Sequence, residues 1–310
     1  MFMSRPPRIV ALAVLAGAVL LLSAAGAPAA GVSRARQAEP PPGLPCAPLR
    51  AYLPVHHFPA PTKIDNPYFP LVPGTQYVLE GQANRGGGAV AHRVTFTVTD
   101  LTKVVGHTTT LVVWDLDEDQ GQVVESELAF FAQDDVGNVW SLGEYPEEYE
   151  DGQFVGADST WFARRQGALP GVIVPGDPAA PAARSLFLEG FAPAIDFLDC
   201  AKVSSPRDPK RGPRVCTPAG CFEDVLTIDE TSPLEPEGGT QVKFYAPGVG
   251  NVQIGAINDP EGETLALTSL VHLGPEGLAA ARAKALELER HAYAVSPLYA
   301  RTPPLVPIGG

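Results

Sequence analysis

The sequence predicts a mainly β protein: a curved antiparallel sheet, open barrel or sandwich with one C-terminal α-helix. Three observations carry that reading. Gly 31 and Pro 33 among 310 residues make about a fifth of the chain, which favours many turns over long helices. Hydrophobic residues at 45% and charged ones at 18% provide for a packed core and exclude charge-driven disorder. Apolar and polar residues alternate with period two through much of the chain, whereas a helical period is convincing only near the end.

Residues 1–29 read as a secretory signal peptide. Arg5 and Arg8 open it, residues 9–22 are an unbroken run of 14 apolar or small side chains, and Ala27-Pro28-Ala29 supplies a cleavage site. The run is too short for a comfortable membrane span, and no twin-Arg pair precedes it, so Sec-type export to the envelope or the outside is expected, with no transmembrane segment after cleavage. Cleavage removes Arg5, Arg8 and no acid, taking the net charge from −13 to −15. Such an excess of carboxylates argues against nucleic acid as a partner. Residues 30–65 are expected to be a proline-rich linker, and His56-His57 within it a solvated pair.

The β domain is expected over residues 66–273. Asn66-Pro67-Tyr68-Phe69-Pro70-Leu71 begins it, and Val72-Pro73-Gly74 turns into a strand at 75–80. Val90, His92, Val94, Phe96 and Val98 then alternate with a Thr-rich face, the mark of an antiparallel strand with one face in water. His92, on the apolar face, reads as a core or rim residue. A strand at about 107–116 places Thr110, Val112, Trp114 and Leu116 on one side. Another at 122–133 places Val124, Leu128, Phe130 and Ala132 on one side. Asp134-Asp135-Val136-Gly137-Asn138 is a turn, after which 139–142 resumes the sheet. Weaker strand signals lie near 159–163, 185–189, 195–203, 222–229, 241–245, 251–257 and 263–272. Residues 169–181, with four prolines, read as a long surface loop. The basic cluster at 204–214 reads as a solvated hairpin insertion. Gly274-Pro275-Glu276 opens the helix, expected over 274–294, and Leu278, Ala281, Ala285, Leu288 and Ala292 form the face that packs on the β domain. Residues 295–310 are a tail.

Cys46, Cys200, Cys216 and Cys221 in an exported chain read as two disulfides. Thr217-Pro218-Ala219-Gly220 is a four-residue loop of turn formers, which makes Cys216 and Cys221 cross-strand neighbours and leaves Cys46 for Cys200. No metal or cofactor site is expected. Asp115-Leu116-Asp117-Glu118-Asp119-Gln120-Gly121 resembles the start of a calcium loop, but Gln120 stands where glycine is needed and Ser126 where the closing glutamate is needed. The stretch therefore reads as a solvated acidic hairpin turn. Asp134, Asp135, Glu144, Glu147, Glu148, Glu150 and Asp151 add carboxylates without singling out a catalytic pair. A Gly-x-Ser-x-Gly elbow is absent, and Tyr245-Ala246-Pro247-Gly248-Val249-Gly250 is followed by a strand, so its glycines serve a turn.

Three segments together resemble a known family: Asn66-Pro67-Tyr68-Phe69-Pro70-Leu71 with Pro73-Gly74-Thr75, Ala132-Gln133-Asp134 with Gly137-Asn138-Val139-Trp140, and Tyr245 to Gly250. The family is one of exported bacterial proteins, mainly actinobacterial, without an assigned activity. The resemblance covers about residues 66–293 and brings no catalytic residues. The last segment and Thr217-Pro218-Ala219-Gly220 also resemble parts of cell-envelope proteins with a curved antiparallel sheet, some of them similar to periplasmic lipid carriers. The expected function is non-enzymatic: an exported or envelope-associated binding protein for an apolar or amphipathic, lipid-like small molecule. Phe96, Trp114, Phe130 and Trp140 are the residues expected to line its face. The alternative is a carbohydrate-active or metal-dependent hydrolase using the clustered carboxylates.

Overall fold

The structure, a computed structural model, describes residues 43–48, 58–205 and 212–309. The expected signal peptide, His56-His57 and residues 206–211 of the basic cluster lie outside the described residues. The chain is mainly β. Its strands in order are β1 (Thr75–Asn84), β2 (Ala89–Val105), β3 (Thr108–Asp119), β4 (Gln122–Gln133), β5 (Val139–Glu150), β6 (Gln153–Gly156), β7 (Trp161–Phe162), β8 (Leu169–Val174), β9 (Phe187–Ala192), β10 (Phe197–Ser205), β11 (Val215–Thr217), β12 (Gly220–Phe222), β13 (Leu226–Thr231), β14 (Thr240–Ala246), β15 (Gly250–Ile257), β16 (Thr264–His272) and β17 (Val306–Pro307), with helix α1 at Pro275–Val295 before the last.

Among the described residues, twelve strands close into an antiparallel barrel in the order β1-β16-β15-β14-β13-β10-β9-β8-β5-β4-β3-β2, and β2 pairs back onto β1. Closure leaves no long free edge for other chains to pair with. It also creates a filling problem. Eight strands enclose a bore that side chains alone can fill, and twelve enclose a wider one. The chain solves this at one end with the segment before β1. Phe69 reaches across the bore to Phe96 on β2, Phe131 on β4 and Tyr245 on β14, with ring centroids 6.0, 5.9 and 5.6 Å away. Phe58 and Ile64 are buried too, so the packed body starts before the expected boundary at residue 66.

The motif residues build this closed end. Buried Asn66 accepts from the Tyr68 and Phe69 amides at 2.8 and 3.2 Å and donates to the carbonyls of Gly137 and Pro175. Asp134 accepts from the Asn138 amide, the Asn138 side chain and the Trp140 indole at 2.9, 2.8 and 3.0 Å. The Gly248 amide donates to the Pro67 carbonyl, and the Tyr77 hydroxyl to that of Val249. Three segments far apart in sequence thus satisfy one another's backbone where strand pairing ends.

Helix α1 packs across β2 and β4 on the outside of the barrel. Ala281, Ala285, Leu288 and Ala292 are buried, as the expected stripe requires, while Leu278 is only half-buried. Glu289 is buried beside them. Its Oε1 accepts from the Leu305 amide at 2.8 Å and the Tyr299 hydroxyl at 3.3 Å, and lies 3.4 Å from the Lys103 ammonium. Lys103 also donates to the Pro303 carbonyl and sits 3.9 Å above the Tyr299 ring. One ionic knot therefore ties the barrel, the helix and the tail together.

Disulfides join Cys46 to Cys200 and Cys216 to Cys221. The second spans the β11–β12 hairpin, where the two cysteines are directly opposed. The expected surface loop at 169–181 is corrected. Its first half is β8, fully buried between β5 and β9. Pro170 occupies a strand position there because it pairs only with β9, the pairing of β8 with β5 starting at Gly171.

Candidate functional site

Among the described residues, the end of the barrel opposite Phe69 is open and acidic. The β3–β4 hairpin is the reason. Phe96 is directly opposite Asp115 and Val94 opposite Asp117, so both aspartates share the face that carries Phe96 into the bore. Across the hairpin Asp115 faces Glu127 and Asp117 faces Glu125. One strand further, Ala129 pairs with Glu144 and Glu125 with Glu148. The expectation of a solvated acidic turn is therefore corrected. The turn itself is Gln120-Gly121, and Asp115 and Asp117 are only 5% and 8% exposed within a strand. Their alternation resembled that of a water-facing strand because the bore is polar at this height.

The glutamates of this set line a cavity of about 340 Å³. One wall holds Glu125, Glu127 and Glu144. The facing wall holds Asp199 on β10 and Gln241 on β14, with Glu263 at the start of β16. Ile195, Phe197, Pro146 and Pro260 add apolar patches to the same cavity. Beneath it a void of about 10 Å³ reaches down between Asp115, Asp117 and Ile254.

Some of the negative charge is matched. Arg85 lies 2.8 Å from Asp119 and 3.1 Å from Glu261 at the rim. His92, buried, lies 2.7 Å from Asp119, 3.1 Å from Glu263 and 3.9 Å from Asp117. Burial alone would lower the imidazole, but Glu263, Asp117 and Asp119 outweigh it and hold it at about 9. The expected core or rim position of His92 is thus occupied by a histidine inside a carboxylate cluster. Deeper in the bore the Lys243 ammonium pairs with Glu230. Burial lowers it, while Glu230 and Glu189 together hold it above its ordinary value.

Three of the carboxyls are not matched in this way. Among the described residues no ion pair reaches Asp115, Glu125 or Glu127. Burial, then the nearby charges of Asp117 and Glu144, pushes Glu125 well above the carboxylate range. Burial and Glu144 do the same to Glu127, and burial and Asp115 to Asp117. Glu127 is 2% exposed, and its Oε1 has no hydrogen-bond partner. A buried acceptor left in that state is costly.

The four aromatic residues expected to form a ligand face are not brought together. Phe96 packs in the plugged half of the bore against Phe69, Tyr77 and Phe131. Phe130 stacks on Phe162 on the outer side of β4, and Trp140 packs on Phe58. Trp114 lines an open groove of about 730 Å³ between α1 and β3–β5. Its indole donates to Ser126 at 3.0 Å. Glu147 in that groove is satisfied by Tyr145, Tyr149 and His291 at 2.6, 2.7 and 2.7 Å. The residues missed from sequence are Asp115, Asp117, Glu125 and Glu127 as interior groups. The signal was present: counted forward from Val113 and back from Ala129, they extend the inward face of an otherwise apolar hairpin.

No protein-family profile matches the chain, and no curated protein matches it. Among solved structures, it is similar to a protein from Bacteroides fragilis, inferred to be exported and described as having a YmcC-like fold. That match has 11% identity and a TM-score of 0.31, and covers 66% of this chain and 98% of the other. A protein from Parabacteroides distasonis, inferred to be a lipoprotein, matches at 14% identity and a TM-score of 0.30 over 66% of this chain and 98% of its own.

Proposed function

We propose that the protein is an exported binding protein that takes a small amphipathic molecule into the open mouth of its barrel. The observation that carries this reading is the cavity's double character. Phe197 and Ile195 offer an apolar surface in the same space where Glu127 holds an unpartnered carboxyl oxygen. Concave sites with a mainly apolar wall and a few placed polar groups are the usual form of small-molecule sites. Two disulfides fit an oxidising compartment outside the cytoplasm, in keeping with the signal peptide expected at 1–29.

Amide shift mapping by NMR tests the proposal. The isotope-labelled mature protein is titrated with medium-chain amphiphiles carrying neutral, anionic or cationic heads. The expected result is saturable perturbation centred on Glu127, Phe197 and Gln241 with at least one of them. Perturbations confined to the groove beside Trp114 would move the site there, and no saturable response to any head would remove the binding function.

A further inference from the structure

Resting on that reading of the mouth, we infer that the polar head of the ligand is an organic cation, an amine, quaternary ammonium or guanidinium group, seated against Glu127. Glu127 is almost completely enclosed, it lines the cavity, and no hydrogen bond meets its Oε1. An empty site of this kind is held together by protonation, because like charges this close cannot all ionise. A cation relieves the crowding directly. An anionic head would add to it, and a neutral head would offer hydrogen bonds without charge. Among the described residues, the cationic groups near the mouth are already engaged. Arg85 and His92 are engaged with Asp119, Glu261 and Glu263 at the rim, and Lys243 with Glu230 deeper in the bore.

The geometry also favours an organic cation over a bare metal ion. Among the described residues no three His, Cys, Asp or Glu side chains are grouped closely enough to hold a metal. Phe197, Ile195 and Pro146 instead provide surface that a hydrated divalent ion would leave uncovered. An organic cation with an apolar body uses both features, and its single charge, less strongly hydrated than that of a divalent metal ion, makes its transfer into a partly apolar cavity less costly.

Binding must then be coupled to protons. The groups facing Glu127 are Asp115 and Asp117 from β3, Glu125 from its own strand, Glu144 and Glu148 from β5, His92 from β2 beside Asp117 and, across the bore, Asp199 and Glu263. Carboxyls raised by burial and mutual repulsion carry protons when the mouth is empty, and a cation displaces them. Affinity for a cationic head therefore falls as pH is lowered and rises with pH, with net proton release.

Calorimetry at physiological salt tests this with three ligands of one chain length: decyltrimethylammonium, decyl sulfate and decyl glucoside, each below its micelle concentration. The expected result is that the ammonium binds at least about tenfold more tightly than the other two. Its affinity should drop at least about tenfold between about pH 8 and about pH 5, and it should release protons when measured in buffers of different ionisation enthalpy. Glu127→Gln should remove most of the preference for the ammonium, with its fold checked by an unchanged near-ultraviolet circular dichroism spectrum. Equal affinity for all three heads overturns the cationic assignment and leaves the binding function standing. No binding of any head overturns both. Calcium binding that is abolished by Glu127→Gln and that blocks the ammonium would make the mouth a metal site and overturn the assignment.

Discussion

His92 shows how one residue's role depends on what faces it. In the sequence it is one polar member of an apolar stripe. In the barrel it is enclosed by Asp117, Asp119 and Glu263, which hold its imidazole at about 9 against the effect of burial. The unfolded chain has an ordinary value near 6.5. The folded state therefore binds the extra proton between these two values. The resulting stability is fully present below about pH 6.5 and is lost as pH rises through about 9. NMR titration of the His92 ring should give a midpoint near 9, and a midpoint near the ordinary value would show that the carboxylates do not surround it as described. Lys103 has the opposite sign. Burial pushes its ammonium down to about 8 despite Glu289, so its burial penalty is present below that value and is relieved as pH rises towards the free-lysine range. Glu289→Ala would leave that ammonium buried without its carboxylate and should cost about 3–5 kcal/mol in denaturant unfolding. A loss near zero would mean that the knot between barrel, helix and tail contributes only packing.

At the scale of elements, the strands with a clean period of two were legible, and so was the helix. β2, β3 and β4 lie close to where the alternation places them, because each has one face in the bore and one under other chain. The face assignment was not legible on β3 and β4. Alternation identifies two faces, but only the closing of the barrel decides which is inside, and here Asp115, Asp117, Glu125 and Glu127 go in while Trp114 and Leu116 go out. β8 was hidden by its proline and glycine. Gly171 sits so close to β9 that a Cβ would lie 2.5 Å from the Leu188 carbonyl oxygen, a spacing that propensity cannot report. Gly143 on β5 is a sharper case, with φ at 148° and a Cβ position 2.5 Å from the Trp161 carbonyl oxygen. Gly143→Ala should cost about 1–3 kcal/mol or more, read as a lowered unfolding midpoint. The disulfides divide in the same way. On chain-entropy scaling, the bridge with a sequence separation of 154 should contribute about 5 kcal/mol and that with a separation of 5 about 2 kcal/mol. Replacing Cys46 and Cys200 by serine should therefore lower the melting temperature more than replacing Cys216 and Cys221. The reverse order would show that the N-terminal segment is not held by its bridge.

The whole molecule is a barrel with two unlike ends. The motif residues close one with Phe69, Asn66 and Asp134, and the acidic hairpin leaves the other open. The motif segments were legible as a set long before their purpose was, since their contacts join residues more than a hundred positions apart. The open end makes the empty protein sensitive to pH. Carboxyls raised in the folded state bind protons that the unfolded chain has already lost, so stability is greatest towards the ordinary carboxyl range and falls as pH rises through their folded values. Glu127→Gln should therefore stabilise the ligand-free barrel in mildly alkaline buffer and have little effect in acid, the trade of stability for function seen in binding sites. A destabilised variant at both pH values would mean that Glu127 serves the fold. The most direct test of the account is a crystal structure of the mature protein grown with decyltrimethylammonium. The expected density places the ammonium beside the Glu127 carboxyl and the chain along Phe197 and Ile195. An occupied groove beside Trp114 with an empty mouth would contradict it.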